Sequence, residues 1–271
     1  MTITPDAEHF QSTAEKYAAY LDTPEGRLRL DLPLANLQEF LPQGEQPLHA
    51  LDIGGGTGAN AVRLAKLGFH VTLLDFSQAM LDIAGRAAQA EGVVEKIALK
   101  IGDATKLPIL LQGASFDLVS CHNVLEFVDD PCAVLRDAAL ALRSSSSVLS
   151  ILVRNRPGEV LKAALLQGDL VAAERNMTSE WGDESLYGGK VRLFTAGSLY
   201  VTLEAAALTV IAIRGVRVIA DYLPREILQS AEYKRVFQLE RKLGRRPEFA
   251  AVARYIHCIA RPAAVVEKDS A

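Results

Sequence analysis

His49-Ala50-Leu51-Asp52-Ile53 runs straight into Gly54-Gly55-Gly56-Thr57-Gly58, and Ala59 to Lys66 follows. The first five residues suit a short buried strand. The last eight place Ala61, Leu64 and Ala65 on one helical face. Between them the backbone must turn tightly and let a ligand approach closely, which is what glycine permits. Outward from this unit the same alternation recurs. Val71 to Leu74 is a second apolar strand ending at Asp75, and Ser77 caps a helix with Met80, Leu81, Ala84, Ala87 and Ala88 at helical spacing. Ile97 to Ile101 is a third strand, ending at Gly102-Asp103. Phe116 to Cys121 is a fourth. Pro131 opens a helix through Leu142, and Val148 to Val153 is a fifth strand. Strands alternating with helices predict an α/β fold, a parallel sheet with helices on both faces.

The rhythm changes after Val153. Residues 155–191 show no clear strand and read as a helical or irregular insertion. Thr195 to Ala206 is a helix capped by Thr195. Leu208 to Val218 and Ala253 to Ala260 are β-rich and suit a closing pair of strands around a basic helical stretch at 224–245. Residues 1–44 contribute N-terminal helices, 45–261 the main domain, and 262–271 a tail. The chain has 271 residues, 49% of them hydrophobic and 23% charged. That balance is globular, with no apolar run long enough to cross a bilayer and no signal-peptide pattern. Three scattered cysteines, Cys121, Cys132 and Cys258, have no metal-ligand spacing and point to a reducing, cytoplasmic setting. The net charge is −4, but it is unevenly placed. Residues 1–153 carry 11 Lys/Arg and 19 Asp/Glu, and residues 154–261 carry 17 and 12. An acidic front and a basic back suit either an anionic partner at the second half or a solvated helix face.

The glycine loop admits two ligands. Gly54, Gly56 and Ala59 fit the permissive form of the dinucleotide fingerprint, and Asp75 lies where a carboxylate accepts from ribose hydroxyls. Asp52, however, would sit beside a pyrophosphate as a like charge. A cationic ligand such as S-adenosylmethionine, with its sulfonium and ammonium, suits that carboxylate. Asp103 and the Ala104 backbone N–H at the third strand end offer an acceptor and a donor to an adenine edge.

In their order and spacing across residues 45–155 these motifs resemble a class I S-adenosylmethionine-dependent methyltransferase. The resemblance implies a Rossmann-like seven-stranded, mostly parallel sheet whose last strand is antiparallel. It assigns Gly54, Gly55 and Gly56 to the methionine end, Asp75 with Phe76 to the ribose and its surroundings, and Asp103 with Ala104 to adenine. The chain departs from the family where a Pro-Gly-Gly turn usually precedes the fifth strand. Here Ser144-Ser145-Ser146-Ser147 stand, predicting a rearranged turn away from the cofactor.

A narrower resemblance spans most of the chain. Ala14-Glu15-Lys16-Tyr17, Gly26-Arg27-Leu28-Arg29, Cys121-His122-Asn123-Val124-Leu125-Glu126-Phe127-Val128, Gly215-Val216-Arg217-Val218, Asp221-Tyr222-Leu223 and Arg254-Tyr255-Ile256-His257 occur together. The set resembles the tRNA 5-carboxymethoxyuridine methyltransferases, which form a methyl ester on a modified wobble uridine. It implies that Arg29 and His122 join the cofactor site, Arg29 as a fork on the methionine carboxylate and His122 lining the methyl-transfer pocket as the one catalytic candidate. The bland alternatives are a surface charge for Arg29 and a satisfied polar residue for His122. His257, in an apolar strand, reads as structural. Arg154 and Asn155 follow the fifth strand at the sheet edge where ligands bind, and with Arg217 and Tyr222 are the candidates for holding an anionic acceptor. Arg217, Asp221 and Tyr222 equally suit ties between the closing strands.

A carboxylate acceptor is already ionised at neutral pH, so methyl transfer to it needs alignment rather than a base. The sequence offers no other acid–base set, which agrees with that acceptor. The partners implied are tRNA, met by the basic run Lys234 to Arg246, or else a small anionic or lipid-like metabolite under the apolar insertion Val160 to Ala173.

Overall fold

The computed structural model describes residues 7–42, 47–184 and 188–263. Two helices, α1 (Ala7–Leu21) and α2 (Pro24–Leu37), precede the sheet. Five strands then alternate with four helices: β1 (His49–Ile53), α3 (Ala59–Lys66), β2 (His70–Asp75), α4 (Gln78–Ala90), β3 (Ile97–Ile101), α5 (Leu107–Leu111), β4 (Leu118–His122), α6 (Pro131–Leu140) and β5 (Val148–Arg154). The insertion follows as α7 (Arg156–Leu161), a π-helical turn at Lys162–Leu166, α8 (Leu170–Thr178) and a small hairpin, β6 (Trp181–Asp183) and β7 (Lys190–Arg192). The chain closes with α9 (Ala196–Ala205), β8 (Leu208–Val216), α10 (Arg225–Gln229), α11 (Tyr233–Gly244), α12 (Pro247–Ala250) and β9 (Tyr255–Pro262). Pro262 thus ends a strand, and the rest of the expected tail, from 264 on, lies outside the described residues.

The main sheet has seven strands in the order β3-β2-β1-β4-β5-β9-β8. The first five are parallel, and β9 runs antiparallel to both β5 and β8. The expected fold class therefore holds, including the reversed last strand. The strand order reverses between β1 and β4, and ligands of open α/β sheets bind at the carboxyl ends beside such a switch. The register puts Ile53 level with Leu74 and with Cys121. The residues just after β1, at the end of β2 and at the end of β4 therefore share one edge.

The inner strands β1, β4 and β5 read as near-continuous apolar runs because both faces are covered, whereas the edge strand β3 leaves Leu99 and Ile101 exposed. Leu51, Ile53, Val119, Cys121, Leu149 and Ile151 pack toward α6 and α9 on one face. Ala50, Leu73, Val71, Leu118 and Val148 pack toward α3 and α4 on the other. A third cluster, Leu28, Leu32, Val216, Leu228 and Val236, holds α2 and α11 against the β8–β9 end. Among the described residues no helix is long and apolar enough to cross a membrane.

Local differences from the sequence reading have simple causes. Phe116 makes only a bridge to Leu142, so β4 starts at Leu118. Strands β6 and β7 are three residues each, too short for a periodic signal. In the serine turn the Ser144 N–H donates to Ser147 Oγ and the Ser147 N–H to the Ser144 carbonyl. Hydroxyls supply the turn where the family usually has a glycine pair, at the start of β5 and far from its carboxyl end, as the serine run predicts. The basic helix α11 turns its one acid inward. Glu240 is fully buried and accepts from the N–H groups of Val218, Ile219 and Ala220 at 2.7–2.9 Å. Gly244, one turn on, lets the helix touch β8: a Cβ there would sit 2.2 Å from the Gly215 carbonyl oxygen.

Thr195 caps α9 reciprocally: it accepts from the Ser198 N–H, and Ser198 Oγ accepts from the Thr195 N–H. Thr195→Ala is expected to cost about 1 kcal/mol in urea unfolding, with unchanged ligand affinity, because the cap's hydrogen bonds stay within the first turn of α9 and Thr195 lines neither cavity described below.

Candidate active site

At the carboxyl edge of β1 the loop is shaped by positive φ at Gly54 (61°), Gly56 (54°) and Gly58 (77°). A Cβ on Gly54 would meet Val124 Cγ2 at 2.4 Å, so the loop is pressed against the segment after β4 as well as strained for any other residue. Asp75, at the end of β2, ties the loop down. Its Oδ2 accepts from the Gly56 N–H and its Oδ1 from the Ser77 N–H, each at 2.9 Å. Burial pushes this carboxyl up, and those two backbone donors pull against the shift.

Asp52 lies beneath the loop, 2% exposed. Its Oδ1 accepts from Ser120 Oγ at 2.5 Å and from Asn60 Nδ2 at 3.0 Å. Its Oδ2 is buried with no hydrogen-bond partner. Burial raises the pKa to about 6, against the opposing pull of Ser120 and Asn60. A buried, half-satisfied carboxylate beside a glycine loop fits a cationic ligand group and not a pyrophosphate.

A cavity of about 370 Å³ opens above the loop. Its walls include Gly54, Gly56, Asp75, Phe76, Asp103, Ala104, Arg29, His122 and Arg154. Nine of the positions singled out in the sequence thus meet in one hollow. Asp52 and Gly55 border a smaller hollow, about 40 Å³, that shares Gly54, Arg29 and His122 with it. Asp103 is exposed at the far end, its Oδ1 taken by the Thr105 N–H and hydroxyl.

The structure adds walls that the sequence did not single out. Phe10 on α1 packs edge-on against Phe76 (5.1 Å between centroids) and against Phe127 (5.4 Å). Tyr17, also on α1, lies 3.5 Å from where a Gly56 Cβ would be, and its hydroxyl accepts from Arg29. The Arg29 guanidinium, 7% exposed, stacks on the rings of Tyr17 and Tyr20 at 5.2 and 5.1 Å. It is no surface charge. Tyr17 belongs to a stretch quoted above for its resemblance; its place over the loop follows from the packing of α1 on α4.

Beyond Tyr17, Arg29 and Arg154 lies a second cavity of about 580 Å³, which shares these three residues with the first. Arg217, Arg254, Lys162 and Tyr255 also line it. The cations are partly paired: Arg154 with Glu184 and Glu159, Arg254 with Glu159, and Arg217 with Asp221. Burial alone would push the Tyr255 phenol up, but Arg217, Arg29, Arg154 and Arg254 hold it down at about 8. Arg29, Arg154, Lys162, Arg217, Arg225 and Arg254 line the chamber against Glu25, Glu184 and Asp221, so its walls carry more cations than acids. Two expected acceptor residues stand apart. Asn155 is 2% exposed and donates its amide to the carbonyls of Ala251 and Ala253. Tyr222 is half-buried outside the walls of both cavities, its phenol pushed up to about 12 by burial and Asp221.

Residues 25–213 match the family model of the methyltransferase domain. The chain is an S-adenosylmethionine-dependent methyltransferase. It is 32% identical, over 93% of its own length and 95% of the relative's, to the tRNA 5-carboxymethoxyuridine methyltransferase of Escherichia coli strain K12. It is 31% identical to a demethylmenaquinone methyltransferase of Leptospira interrogans, over 53% of this chain and 58% of that one. Among solved structures the CcbJ methyltransferase of Streptomyces caelestis superposes with a TM-score of 0.64 at 17% identity, covering 96% of this chain and all of that one. The DhpI complex with SAH gives 0.59 at 15%, covering 97% and 98%. These structures bear on the fold. The cofactor of this methyltransferase is S-adenosylmethionine, and the unpartnered Asp52 oxygen under the loop suits its positive charge.

Proposed function

We propose that this methyltransferase esterifies the carboxymethoxy group of a modified wobble uridine in tRNA. The observation that carries the reading is the arginine-lined chamber joined to the loop cavity through Tyr17, Arg29 and Arg154. An acceptor carboxylate entering there meets positive charge on arrival. The 32% identity to the Escherichia coli enzyme over nearly the whole chain supports the same acceptor.

In this reading Asp52 faces the cationic end of the cofactor, and Gly54, Gly55 and Gly56 bring backbone close to it. Asp75 accepts from the ribose beside Phe76. Asp103 and the Ala104 N–H meet the adenine edge, and Arg29 forks the methionine carboxylate. The cofactor supplies an activated methyl group. The chain aligns the acceptor oxygen opposite the departing sulfur, and Arg154 and Arg217 hold the acceptor's anionic charge. Of the basic residues of the second half only Arg217 and Arg254 are buried, and much of the surplus faces outward. Lys234, Arg235, Lys242, Arg245 and Arg246 are exposed along the α11 run and can meet a phosphate backbone, with Arg235, Arg245 and Arg246 sharing their charge with Glu232, Glu39 and Glu248.

The second reading is a small carboxylate or lipid-like acceptor. Leu166 lines the chamber, and Leu165, Leu170 and Val171 beside it are exposed at 64%, 66% and 79%. Incubation with methyl-labelled cofactor separates the readings. Label is expected in tRNA carrying 5-carboxymethoxyuridine, released as methanol by mild base, and not in tRNA lacking that base. Cofactor binding without label in either RNA would sink the tRNA reading. Affinity for the RNA is expected to fall steeply between 50 and 200 mM salt, roughly tenfold for every two phosphate contacts.

A further inference from the structure

Strands β4, β5 and β9 lie side by side, and their register sets His122 and His257 level with Leu152 from either flank. Ser150, two residues before Leu152 on the same face of β5, is fully buried, as is His257. Both imidazoles reach its hydroxyl: His122 Nε2 lies 2.8 Å and His257 Nε2 2.9 Å from Ser150 Oγ. The two rings meet edge-on, 5.7 Å apart. At the far end Asn36 Nδ2, on α2, approaches His257 Nδ1 at 3.4 Å.

The protons in this chain can be counted. An amide nitrogen only donates, so His257 Nδ1 accepts and its proton sits on Nε2. That Nε2–H donates to Ser150 Oγ. The buried serine proton then has one acceptor within reach, His122 Nε2. The proton of a neutral His122 ring therefore sits on Nδ1. That nitrogen has no hydrogen-bond partner among the described residues, and His122 lines the loop cavity. Both rings are neutral at pH 7. Burial and Arg29 hold His122 down at about 4, and burial, His122 and Arg214 hold His257 well below its usual value.

We propose that Ser150 and His257 are positioning residues that lock His122 as its Nδ1–H tautomer, so that it offers the acceptor a hydrogen-bond donor and not a base. The inference rests on the reading of the cavity as the methyl-transfer site. One oxygen of an acceptor carboxylate takes the His122 N–H, and the other attacks the methyl carbon. A new O–C bond forms as the S–C bond breaks, the sulfur keeps its electron pair, and no proton moves. Acceptors that must first lose a proton, such as phenols and ammonium groups, find no free lone pair on this ring, since Nδ1 carries the proton and Nε2 is held by Ser150. The relay thus selects acceptors that arrive as anions.

Long-range proton–nitrogen correlation NMR of histidine-labelled protein tests the lock without any acceptor, with His122→Asn and His257→Gln spectra for assignment. His122 is expected with a protonated Nδ1 and a bare Nε2, and His257 with the reverse. A protonated His122 Nε2, or an imidazolium at pH 7, overturns the proposal. Kinetics on tRNA carrying 5-carboxymethoxyuridine test its consequence. Ser150→Ala is expected to mix the His122 tautomers and lower kcat about tenfold, the worth of one oriented hydrogen bond, with the KM for S-adenosylmethionine unchanged. Ser150→Thr, which keeps the hydroxyl, is expected to restore both. His122→Asn, which keeps a donor at the Nδ1 position, is expected to outperform His122→Gln. Wild-type kcat in Ser150→Ala despite mixed tautomers overturns the positioning role. Should the wild-type protein leave tRNA unlabelled, the tRNA reading fails, and the NMR result still decides the tautomer.

Discussion

Asp75→Ala is expected to remove measurable S-adenosylmethionine binding. The carboxylate does two things at once. It accepts from the Gly56 and Ser77 N–H groups at 2.9 Å, and so fixes the glycine loop and the first turn of α4. In the proposed complex its remaining lone pairs accept from the ribose. Hydrogen bonds to a charged group are worth about 1.5–3 kcal/mol each, so losing two ribose bonds weakens binding by at least about 100-fold. The loop N–H groups freed by the truncation add to that loss. Asp75→Asn is expected to fall between: its single carbonyl oxygen serves one of the two N–H groups, and its amide opposes the other. Calorimetric titration with the cofactor, alongside a melting curve to confirm folding, measures both variants. Binding by folded Asp75→Ala within threefold of wild type would remove the ribose assignment.

The sheet was legible because its strands announce themselves locally. Short apolar runs such as Val71 to Leu74, ending at Asp75, or Ala50 to Ile53, ending at Gly54, need no knowledge of their neighbours. The loop residues Gly54, Gly56, Asp75, Asp103 and Ala104 were legible for the same reason: each lies at a strand end, and the parallel register gathers strand ends on one edge. The arginine chamber was legible only in part, through Arg29, Arg154 and Arg217. Tyr17, Arg29, Arg154, Arg217 and Tyr255 come from α1, α2, β5, the turn after β8, and β9, and only tertiary packing unites them. Phe10 was hidden too, since one apolar residue on a helix gives no hint that it will meet Phe76 and Phe127 across the cavity mouth. Asn155 shows the opposite hazard. Its place after β5 suits a ligand contact, but its amide is occupied by the Ala251 and Ala253 carbonyls.

The split in charge also takes on a physical meaning. The acids of the first half that matter for the site, Asp52 and Asp75, are 2% and 6% exposed and sit under the loop. Arg154, Arg217 and Arg254 of the second half line the adjoining chamber, where Glu159, Glu184 and Asp221 offset part of their charge. A cation and an anion placed in these two hollows attract each other across Arg29 and Tyr17. That arrangement brings a sulfonium and a carboxylate together with little help from the bulk surface.

Asp52→Asn is expected to stabilise the free protein and to weaken the cofactor complex. The folded-state pKa of about 6 stands above the ordinary 3.8, chiefly through burial. For a group raised in this way the contribution to stability is full below about pH 4 and is lost as the pH rises through 6. The ionised carboxylate thus costs the unliganded fold about 3 kcal/mol at pH 7. An amide at the same place keeps an oxygen for Ser120 and Asn60 and carries no charge to desolvate, so part of that cost is recovered in urea unfolding at pH 7. The gain is expected to shrink to nothing by pH 4, where the wild-type carboxyl is itself neutral. Cofactor binding obeys the same linkage in reverse. A cationic ligand favours the ionised form, so wild-type affinity is expected to fall as the pH drops below 6, by up to about tenfold per unit. The variant is expected to bind more weakly at pH 7, with a flat profile between pH 5 and 7. Calorimetry at pH 6 in two buffers of different ionisation enthalpy should register proton release by the wild type and none by the variant. A wild-type affinity constant from pH 5 to 7 would mean that Asp52 does not face the cofactor's charge, and the positive group would then have to be met elsewhere in the cavity.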